Sequence, residues 1–248
     1  ALAALGPGPY TIDGEPPLRR RPMAPLHGAL ADLGVRVTAL ETSGCLPVTV
    51  AGPVAVDAAE IAIAGDVSSQ YLTALMLIAP YLRNGVRIRL TTALVSRPYV
   101  EMTAAVMAAF GVPDVVVADD EIRVPAGAYV ARQFDIEPDA SSASYPLAAA
   151  AVCGGWVRIP GLVAGSLQGD AEFASVLAAM GCEVVRDAHG TEVRRSGRLH
   201  GIDIDMADIS DLVPTMAAIA PYADSPVEVH GVGFIRAKES DRLGDLCA

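Results

Sequence analysis

A pattern that recurs about every 70 residues is the feature of this sequence that most constrains its fold. In each copy a helical segment ends at a glycine, where helices commonly adopt the left-handed conformation, and a strand-like run follows. These glycines are Gly34, Gly111 and Gly181. An Ala- and Leu-rich helical segment, a turn and an alternating strand recur between them, and these strands begin at Val86, Trp156 and Val227. The pattern predicts an α/β repeat protein whose unit has the order helix, strand, helix, strand, strand.

The polarity of the repeated elements predicts which of them are buried. Strand-like runs such as residues 86–90 alternate between apolar and charged side chains, so one face of the sheet meets water. Ala-rich helices such as residues 145–153 are apolar nearly all round, and we expect them in the middle of the unit with sheets outside. The segment 132–142, which carries Asp and Pro, indicates a hinge. We therefore expect two lobes, residues 1–136 and 137–248.

Composition and charge argue against several classes of function. The net charge of −11 argues against a protein that binds nucleic acid. The longest apolar run, residues 71–82, is too short to span a bilayer, so we expect no membrane association. The N-terminal residues lack the basic region of a signal peptide. The four cysteines and four histidines have no metal-binding spacing, so we expect no metal, reduced thiols and a cytoplasmic protein.

Two matching segments, Gly65–Gln70 and Pro138–Ser144, place an Asp and two hydroxyl side chains just before an apolar helix. This pattern is typical of helix N-caps, which is the simpler interpretation. A helix N-terminus with spare hydroxyls and an amide also suits a phosphate group. We interpret the first segment, with Ser68, Ser69 and Gln70, as the candidate phosphate site. The second segment lacks the glutamine, and we interpret it as mainly structural.

Two further segments, Leu94–Thr103 and Arg19–Pro22, place an arginine directly before a proline that can start a helix. In the first of them, Ser96 lies on the preceding loop, where ligands commonly bind. The arginine run in the second is most simply a solvated face. One of its members could also hold a phosphate or carboxylate group through two parallel hydrogen bonds.

The segment Arg236–Arg242 contains five charged residues and the only lysine of the chain, Lys238. The simplest interpretation is a charged helix start, although Lys238 and Arg242 would repel each other at this spacing. Two cations beside a carboxylate also suit a site that handles anions and transfers a proton. In a chain that otherwise uses arginine, a retained lysine favours a site that requires a compact ammonium group.

Six segments in chain order resemble motifs of the 5-enolpyruvylshikimate-3-phosphate (EPSP) synthase family, over nearly the whole chain. They are residues 65–80, 94–103, 138–145, 166–170, 205–211 and 236–242. The resemblance implies two lobes, each of three α/β units with helices inside and sheets outside. It also implies transfer of the enolpyruvyl group of phosphoenolpyruvate to the 5-hydroxyl group of shikimate 3-phosphate. The family needs no metal or other cofactor and is usually monomeric.

The resemblance also implies roles for the matching residues. Shikimate 3-phosphate would be bound, largely through its phosphate group, by Ser68, Ser69, Gln70 and Ser96. Arg21, which precedes a proline, resembles the family's arginine for phosphoenolpyruvate. Arginine suits that ligand because its planar guanidinium group matches carboxylate and phosphate oxygens.

The remaining roles fall in the last third of the chain. Asp211 resembles the proton acceptor near the reacting hydroxyl group, and Lys238 resembles the lysine that contacts substrate beside it. Glu239 resembles the acid that protonates the methylene carbon. Arg242 resembles a second anchor for phosphoenolpyruvate.

The sequence also departs from the family pattern. Phe234 stands where many members have an asparagine that touches substrate. Family motifs expected before residue 1 and after residue 248 are not present, so we expect a central fragment of a longer enzyme that is inactive by itself. Two alternatives stay open: the related transferase that acts on UDP-N-acetylglucosamine, and a non-catalytic binding remnant.

Overall fold

The structure, a computed structural model, describes residues 1–54, 59–238 and 240–247, and short helices and strands alternate along them. The helices are Pro16–Arg20 (α1), Ala24–Asp32 (α2), Ser69–Ile78 (α3), Arg97–Ala109 (α4), Ala140–Cys153 (α5), Phe173–Ala179 (α6), Val213–Ile219 (α7) and Arg242–Cys247 (α8). The strands are Tyr10–Ile12 (β1), Arg36–Ala39 (β2), Val48–Ala51 (β3), Ala59–Ile63 (β4), Val86–Leu90 (β5), Val116–Val117 (β6), Glu121–Val124 (β7), Trp156–Pro160 (β8), Cys182–Asp187 (β9), Gly190–Arg195 (β10), Asp203–Asp205 (β11) and Glu228–His230 (β12). No helix in the described ranges combines the length and apolarity that a membrane crossing requires.

The order of these elements confirms the predicted repeat. One copy consists of α3, β5, α4, β6 and β7, and the next consists of α5, β8, α6, β9 and β10. Partial copies flank them, with α2, β2 and β3 before and α7 and β12 after. The sequence patterns missed one strand, which precedes the first helix of a copy in two places, as β4 before α3 and as β11 before α7.

That missed strand decides how the chain crosses each sheet. β4 pairs with β5 in parallel, with Ile63 opposite Leu90, and β11 pairs with β12 in parallel, with Asp205 opposite His230. The strand orders are β4-β5-β7-β6, β1-β3-β2, β8-β10-β9 and β11-β12, and the other pairings are antiparallel. Since parallel strands leave a sheet at the same edge, the loops that follow β4 and β5 lie side by side.

Local backbone conformation agrees with the sequence patterns at the repeated glycines. Gly34, Gly111 and Gly181 follow α2, α4 and α6 with φ of 79°, 100° and 101°, the left-handed region that favours glycine. In β5 the side chains alternate between buried and exposed, as predicted. The last predicted strand begins one residue later than expected, at Glu228.

The chain forms two compact units, each with its own apolar core. The first contains residues 1–132 together with Arg236–Asp241, and the second contains residues 133–235 and 242–248. In the first unit α3 lies at the centre of the core, with Leu72, Leu75 and Met76 at most 1% exposed. This is the inside-out arrangement expected for the fold, in which the sheets cover the helices.

The expectation that the Ala-rich helices are buried on all sides is wrong for one face of α5. Leu147 and Ala151 are buried, but Ser142, Tyr145 and Ala149 are exposed, and Tyr145 keeps 66% of its accessible surface. The spacing of these residues places them on one stripe of the helix. Small, uncharged side chains such as alanine give no sign, in a sequence alone, of which helix face is buried.

Two glycines give a direct test of the fold. Gly85 precedes β5 with φ of 69°, and a Cβ there would lie 2.1 Å from the carbonyl oxygen of Val124, whereas a Cβ at Gly28 in α2 would have no atom within 4 Å. Gly85→Ala is expected to lower the free energy of unfolding by about 2 kcal/mol or more, through left-handed strain and this clash. Gly28→Ala is expected to raise it by about 0.5–1 kcal/mol. Urea unfolding checks both, and equal effects would contradict the backbone path before β5.

Candidate substrate-binding site

Two loops of the first unit are fastened to each other at the edge where β4 and β5 end. The Thr92 hydroxyl oxygen accepts hydrogen bonds from the backbone N–H groups of Gly65 and Asp66, at 2.9 and 3.2 Å. The Val95 N–H group donates to the Gly65 carbonyl oxygen at 3.1 Å. These contacts hold the loop that leads into α3 against the loop that leads into α4. Ser68 and Ser96, one on each loop, are thereby kept in the same region of the unit.

The N-terminus of α3 carries three of the predicted binding residues. Ser68 is the N-cap, and its hydroxyl oxygen accepts a hydrogen bond from the Gln70 N–H group at 3.3 Å. Ser69 is 8% exposed, whereas the Gln70 side chain is exposed. The capping interpretation of Ser68 is therefore confirmed, and capping does not conflict with anion binding. The first N–H groups of a helix and its dipole both favour a negative charge at this end.

Ser96, the predicted binding residue on the second loop, has an unusual backbone. Its φ and ψ are 54° and 43°, and in the part of the chain that the structure describes it is the one residue other than glycine with positive φ. The residue is only 5% exposed, and its carbonyl oxygen accepts a hydrogen bond from the Tyr99 N–H group at 3.1 Å. Such a conformation costs about 1–3 kcal/mol for an L-residue, and strained residues are concentrated at ligand sites.

Arg21 lies beside the first turn of α3, a position that no local sequence pattern predicts. Tyr71, the residue after Gln70, is 5% exposed, and its hydroxyl group donates a hydrogen bond to the Pro22 carbonyl oxygen. The Arg21 side chain lies beside the same hydroxyl group. Burial raises the pKa of Tyr71, and the Arg21 charge partly offsets that rise. The structure thus brings Arg21 to the helix end that carries Ser68, Ser69 and Gln70.

The matching N-terminus of α5 is closed by side chains of the chain itself. Asp139 is the N-cap and accepts hydrogen bonds from the Ser141 N–H group and the Ser142 hydroxyl group, which lower the pKa of its carboxyl group. The Ser141 hydroxyl group donates to the Asp170 carboxylate, and the Gln168 amide oxygen accepts from the Ala140 N–H group. Two carboxylates at this helix end would repel an anion. The capping interpretation of this segment is confirmed, and its mainly structural role stays a prediction.

In the second unit, Asp211 and Arg242 form an ion pair. The Asp211 carboxylate oxygen lies 2.6 Å from an Arg242 guanidinium nitrogen. The Asp211 side chain is 33% exposed to solvent, and the Arg242 side chain is 26% exposed. Asp211 lies in the 3₁₀ segment Ala207–Leu212, between β11 and α7, and Arg242 is the first residue of α8. The carboxylate therefore occupies the loop after a parallel strand, as Ser68 does in the first unit. A charge-assisted pair of this length fixes both side chains.

Lys238 lies outside a helix, so its interpretation as part of a charged helix start is wrong. It follows the 3₁₀ segment Gly233–Ala237, and α8 begins only at Arg242. Lys238 is half-buried and belongs to the segment Arg236–Asp241 of the first unit, whose end residues form an ion pair of 2.9 Å. The predicted proton donor, Glu239, lies outside the described residues.

One group of metal-ligating side chains occurs within residues 1–54, 59–238 and 240–247. Ligand atoms of Asp203, Glu228 and His230 lie within 4.8 Å of one another, and all three residues are exposed. The His230 Nε2 atom is 3.0 Å from the Asp203 carboxylate. These residues lie on the short sheet β11-β12 and belong to none of the predicted site segments.

Comparison with solved structures identifies the class of fold. An EPSP synthase from Acinetobacter baumannii superposes with a TM-score of 0.75 at 20% sequence identity, over 99% of this chain and 56% of that chain. The enolpyruvyl transferase NikO from Streptomyces tendae superposes with a TM-score of 0.55 at 18% identity, over 80% of this chain and 49% of that chain. The fold is therefore the inside-out α/β fold of these transferases.

Sequence comparison then gives the family. The family model described as EPSP synthase (3-phosphoshikimate 1-carboxyvinyltransferase) matches residues 1–248, and the chain belongs to this family. The 3-phosphoshikimate 1-carboxyvinyltransferase of a Nostoc species is 46% identical over 244 residues, and that of Methanosphaerula palustris is 42% identical over 243 residues. Each comparison covers 98% of this chain, which spans 57% of the length of each relative. The match favours this family over the transferase that acts on UDP-N-acetylglucosamine.

Substitution of Ser68 separates its capping role from ligand binding. Ser68→Asp keeps an N-cap oxygen, so the free energy of unfolding should stay within a few tenths of a kcal/mol, whereas Ser68→Ala should lower it by about 0.5–2 kcal/mol. The added carboxylate should abolish detectable binding of shikimate 3-phosphate by electrostatic repulsion. Urea unfolding and isothermal titration of the complete translation product check the two effects. Unchanged affinity in Ser68→Asp would rule out the α3 N-terminus as the phosphate site.

Proposed function

We propose that the protein containing this chain transfers the enolpyruvyl group of phosphoenolpyruvate to the 5-hydroxyl group of shikimate 3-phosphate and releases inorganic phosphate. Membership of the EPSP synthase family over all 248 residues supports the proposal. The structural observation that carries it is the convergence of Ser68, Ser69, Gln70 and Arg21 at the first turn of α3. Since the chain spans 57% of the length of its relatives, other segments of the protein would complete the site.

Shikimate 3-phosphate would bind at the edge of the first unit where β4 and β5 end. The α3 N-terminus supplies a partial positive charge, and the side chains of Ser69 and Gln70 supply neutral hydrogen-bond groups. Ser96 would approach from the neighbouring loop, which hydrogen bonds hold in place. These neutral donors would bind the phosphate group of the ligand. The 5-hydroxyl group, which reacts, would remain free to be deprotonated.

Phosphoenolpyruvate would be bound by arginine side chains. Arg21 and Arg242 each offer a planar guanidinium group that can form two parallel hydrogen bonds with carboxylate or phosphate oxygens. The Arg242 guanidinium group lies 2.6 Å from the Asp211 carboxylate. An anion that binds Arg242 is therefore brought close to a candidate base.

Asp211 would act as that base. It would take the proton from the 5-hydroxyl group as the oxygen attacks C2 of phosphoenolpyruvate, and Glu239 would deliver a proton to C3. Lys238 would stabilise the negative charge of the tetrahedral intermediate. Loss of a proton from C3 and of the phosphate group from C2 then restores the double bond. The roles of Asp211, Lys238 and Glu239 are carried over from the family motif. That the enzyme is monomeric and lies in the cytoplasm also remains a prediction.

Phosphate release tests the proposal. The complete translation product is expected to release phosphate from phosphoenolpyruvate only when shikimate 3-phosphate is present. Lys238→Arg should lower kcat by about 100-fold or more, because a planar guanidinium group cannot replace a compact ammonium group next to the reacting atoms. The control Arg132→Lys makes the reverse exchange at an exposed residue and should leave kcat unchanged.

The outcomes of this assay separate the remaining alternatives. A non-catalytic remnant would release no phosphate under any of these conditions. Normal kcat in Lys238→Arg would contradict the role given to the lone lysine and leave the transferase reaction itself intact.

A further inference from the structure

We propose that Tyr71 is a positioning residue that holds Arg21 in place for phosphoenolpyruvate. The inference deepens the proposed function and rests on it, since it takes Arg21 to be a ligand of the donor substrate. No sequence motif singled out Tyr71, and its position follows from the fold. Its phenol ring is buried in the core of the first unit, while its hydroxyl group reaches the Arg21–Pro22 dipeptide.

The surroundings of the Tyr71 hydroxyl group match what a phenol can donate and accept. A phenol has one proton to donate and lone pairs that accept. It donates that proton to the Pro22 carbonyl oxygen, and its lone pairs remain available to the neighbouring Arg21 guanidinium group, which can only donate. One oxygen atom thus binds the backbone of this dipeptide and lies beside its arginine side chain. Because burial raises the pKa of Tyr71, its proton is retained at neutral pH.

Arg21 lies where the chain leaves a short helix. Arg21 is the C-cap of α1, a helix of only five residues, and its extended backbone, with φ of −66° and ψ of 127°, leaves that helix. The next backbone anchor is the hydrogen bond from the Met23 N–H group to the Gly44 carbonyl oxygen, at 2.7 Å. A rigid phenol beside a long, flexible side chain reduces the number of conformations that arginine must lose on binding.

The position of Tyr71 connects two parts of the candidate site, the α3 N-terminus and Arg21. It follows Gln70 directly in α3, and α3 is buried along most of its surface. A residue fixed in the core at this point holds Arg21 at a constant distance from the α3 N-terminus. Removal of the hydroxyl group should therefore loosen Arg21 and leave Ser68, Ser69 and Gln70 in place.

Steady-state kinetics of the complete translation product test the inference. Tyr71→Phe is expected to raise KM for phosphoenolpyruvate up to about tenfold, because the backbone next to Arg21 loses its hydrogen bond to α3, with less than a twofold change in kcat and in KM for shikimate 3-phosphate. The matched control is Tyr129→Phe, which removes another tyrosine hydrogen bond in the same unit, from the Tyr129 hydroxyl group to the Leu77 carbonyl oxygen at 3.1 Å. The control should leave both KM values unchanged.

Arg21→Gln distinguishes failure of the inference from failure of the proposed function. If Arg21→Gln raises KM for phosphoenolpyruvate and Tyr71→Phe does not, the positioning role is wrong. If neither does, Arg21 is not a ligand of the donor and the inference falls with it. In the double variant, Tyr71→Phe should add nothing to the effect of Arg21→Gln, since both act through the same guanidinium group.

A measurement without turnover keeps the inference testable if the proposed reaction is absent. Nitrogen-15 relaxation at the Arg21 Nε atom is expected to show greater mobility in Tyr71→Phe than in the wild type or in Tyr129→Phe. Equal mobility in the three proteins would overturn the positioning role whatever the reaction is.

Discussion

The candidate site of the first unit depends on the parallel pairing of β4 with β5. With Ile63 opposite Leu90, the chain leaves both strands at the same edge of the sheet. Helix α3 connects them through the core, so its N-terminus has to open at that edge. The hydrogen bonds from Gly65, Asp66 and Val95 then fasten the two loops together. Without this pairing, the fold would not place Ser68 and Ser96 in the same region of the unit.

The repeat gives the same position a different chemistry in each copy. The 3₁₀ turns Ala79–Tyr81 and Ala220–Tyr222 have the same sequence, and Gln70 and Asp211 stand at the same distance before them. At this equivalent position of the repeat, the copy with α3 has the amide side chain of Gln70, and the copy with α7 has the carboxylate side chain of Asp211. At α5 the helix end is closed by carboxylates of the chain itself. Charge at these helix ends determines which of them can accept an anion.

The sequence predicted the features that depend on local patterns. Positive φ at Gly34, Gly111 and Gly181 follows from the steric freedom of glycine at helix ends, and the alternation in β5 follows from its period of two. β4 and β11 were missed because the repeated patterns mark only strands that follow a helix, and each of these two strands precedes one. The exposed face of α5 was missed because alanine is small enough to tolerate either environment.

The candidate site was only partly predictable for the same reason. Ser68 was identified by its capping pattern, which is local, and the family resemblance supplied the roles of Arg21, Asp211 and Arg242. The hydrogen bond from Tyr71 to Pro22, which brings Arg21 beside α3, joins residues far apart in the sequence, and no local pattern encodes it. The assigned roles remain predictions that binding and kinetic measurements can test.

The most direct test of the central claim is an NMR titration of the complete, nitrogen-15-labelled protein with shikimate 3-phosphate. The amide signals of Gln70 and Tyr71 in α3 and of Ser96 on the neighbouring loop are expected to shift together and to give one dissociation constant. The signals of Ala140 and Ser141, at the closed end of α5, should shift much less. Shifts at α5 without shifts at α3, or different dissociation constants for the two loops, would contradict a single phosphate site at the edge formed by β4 and β5.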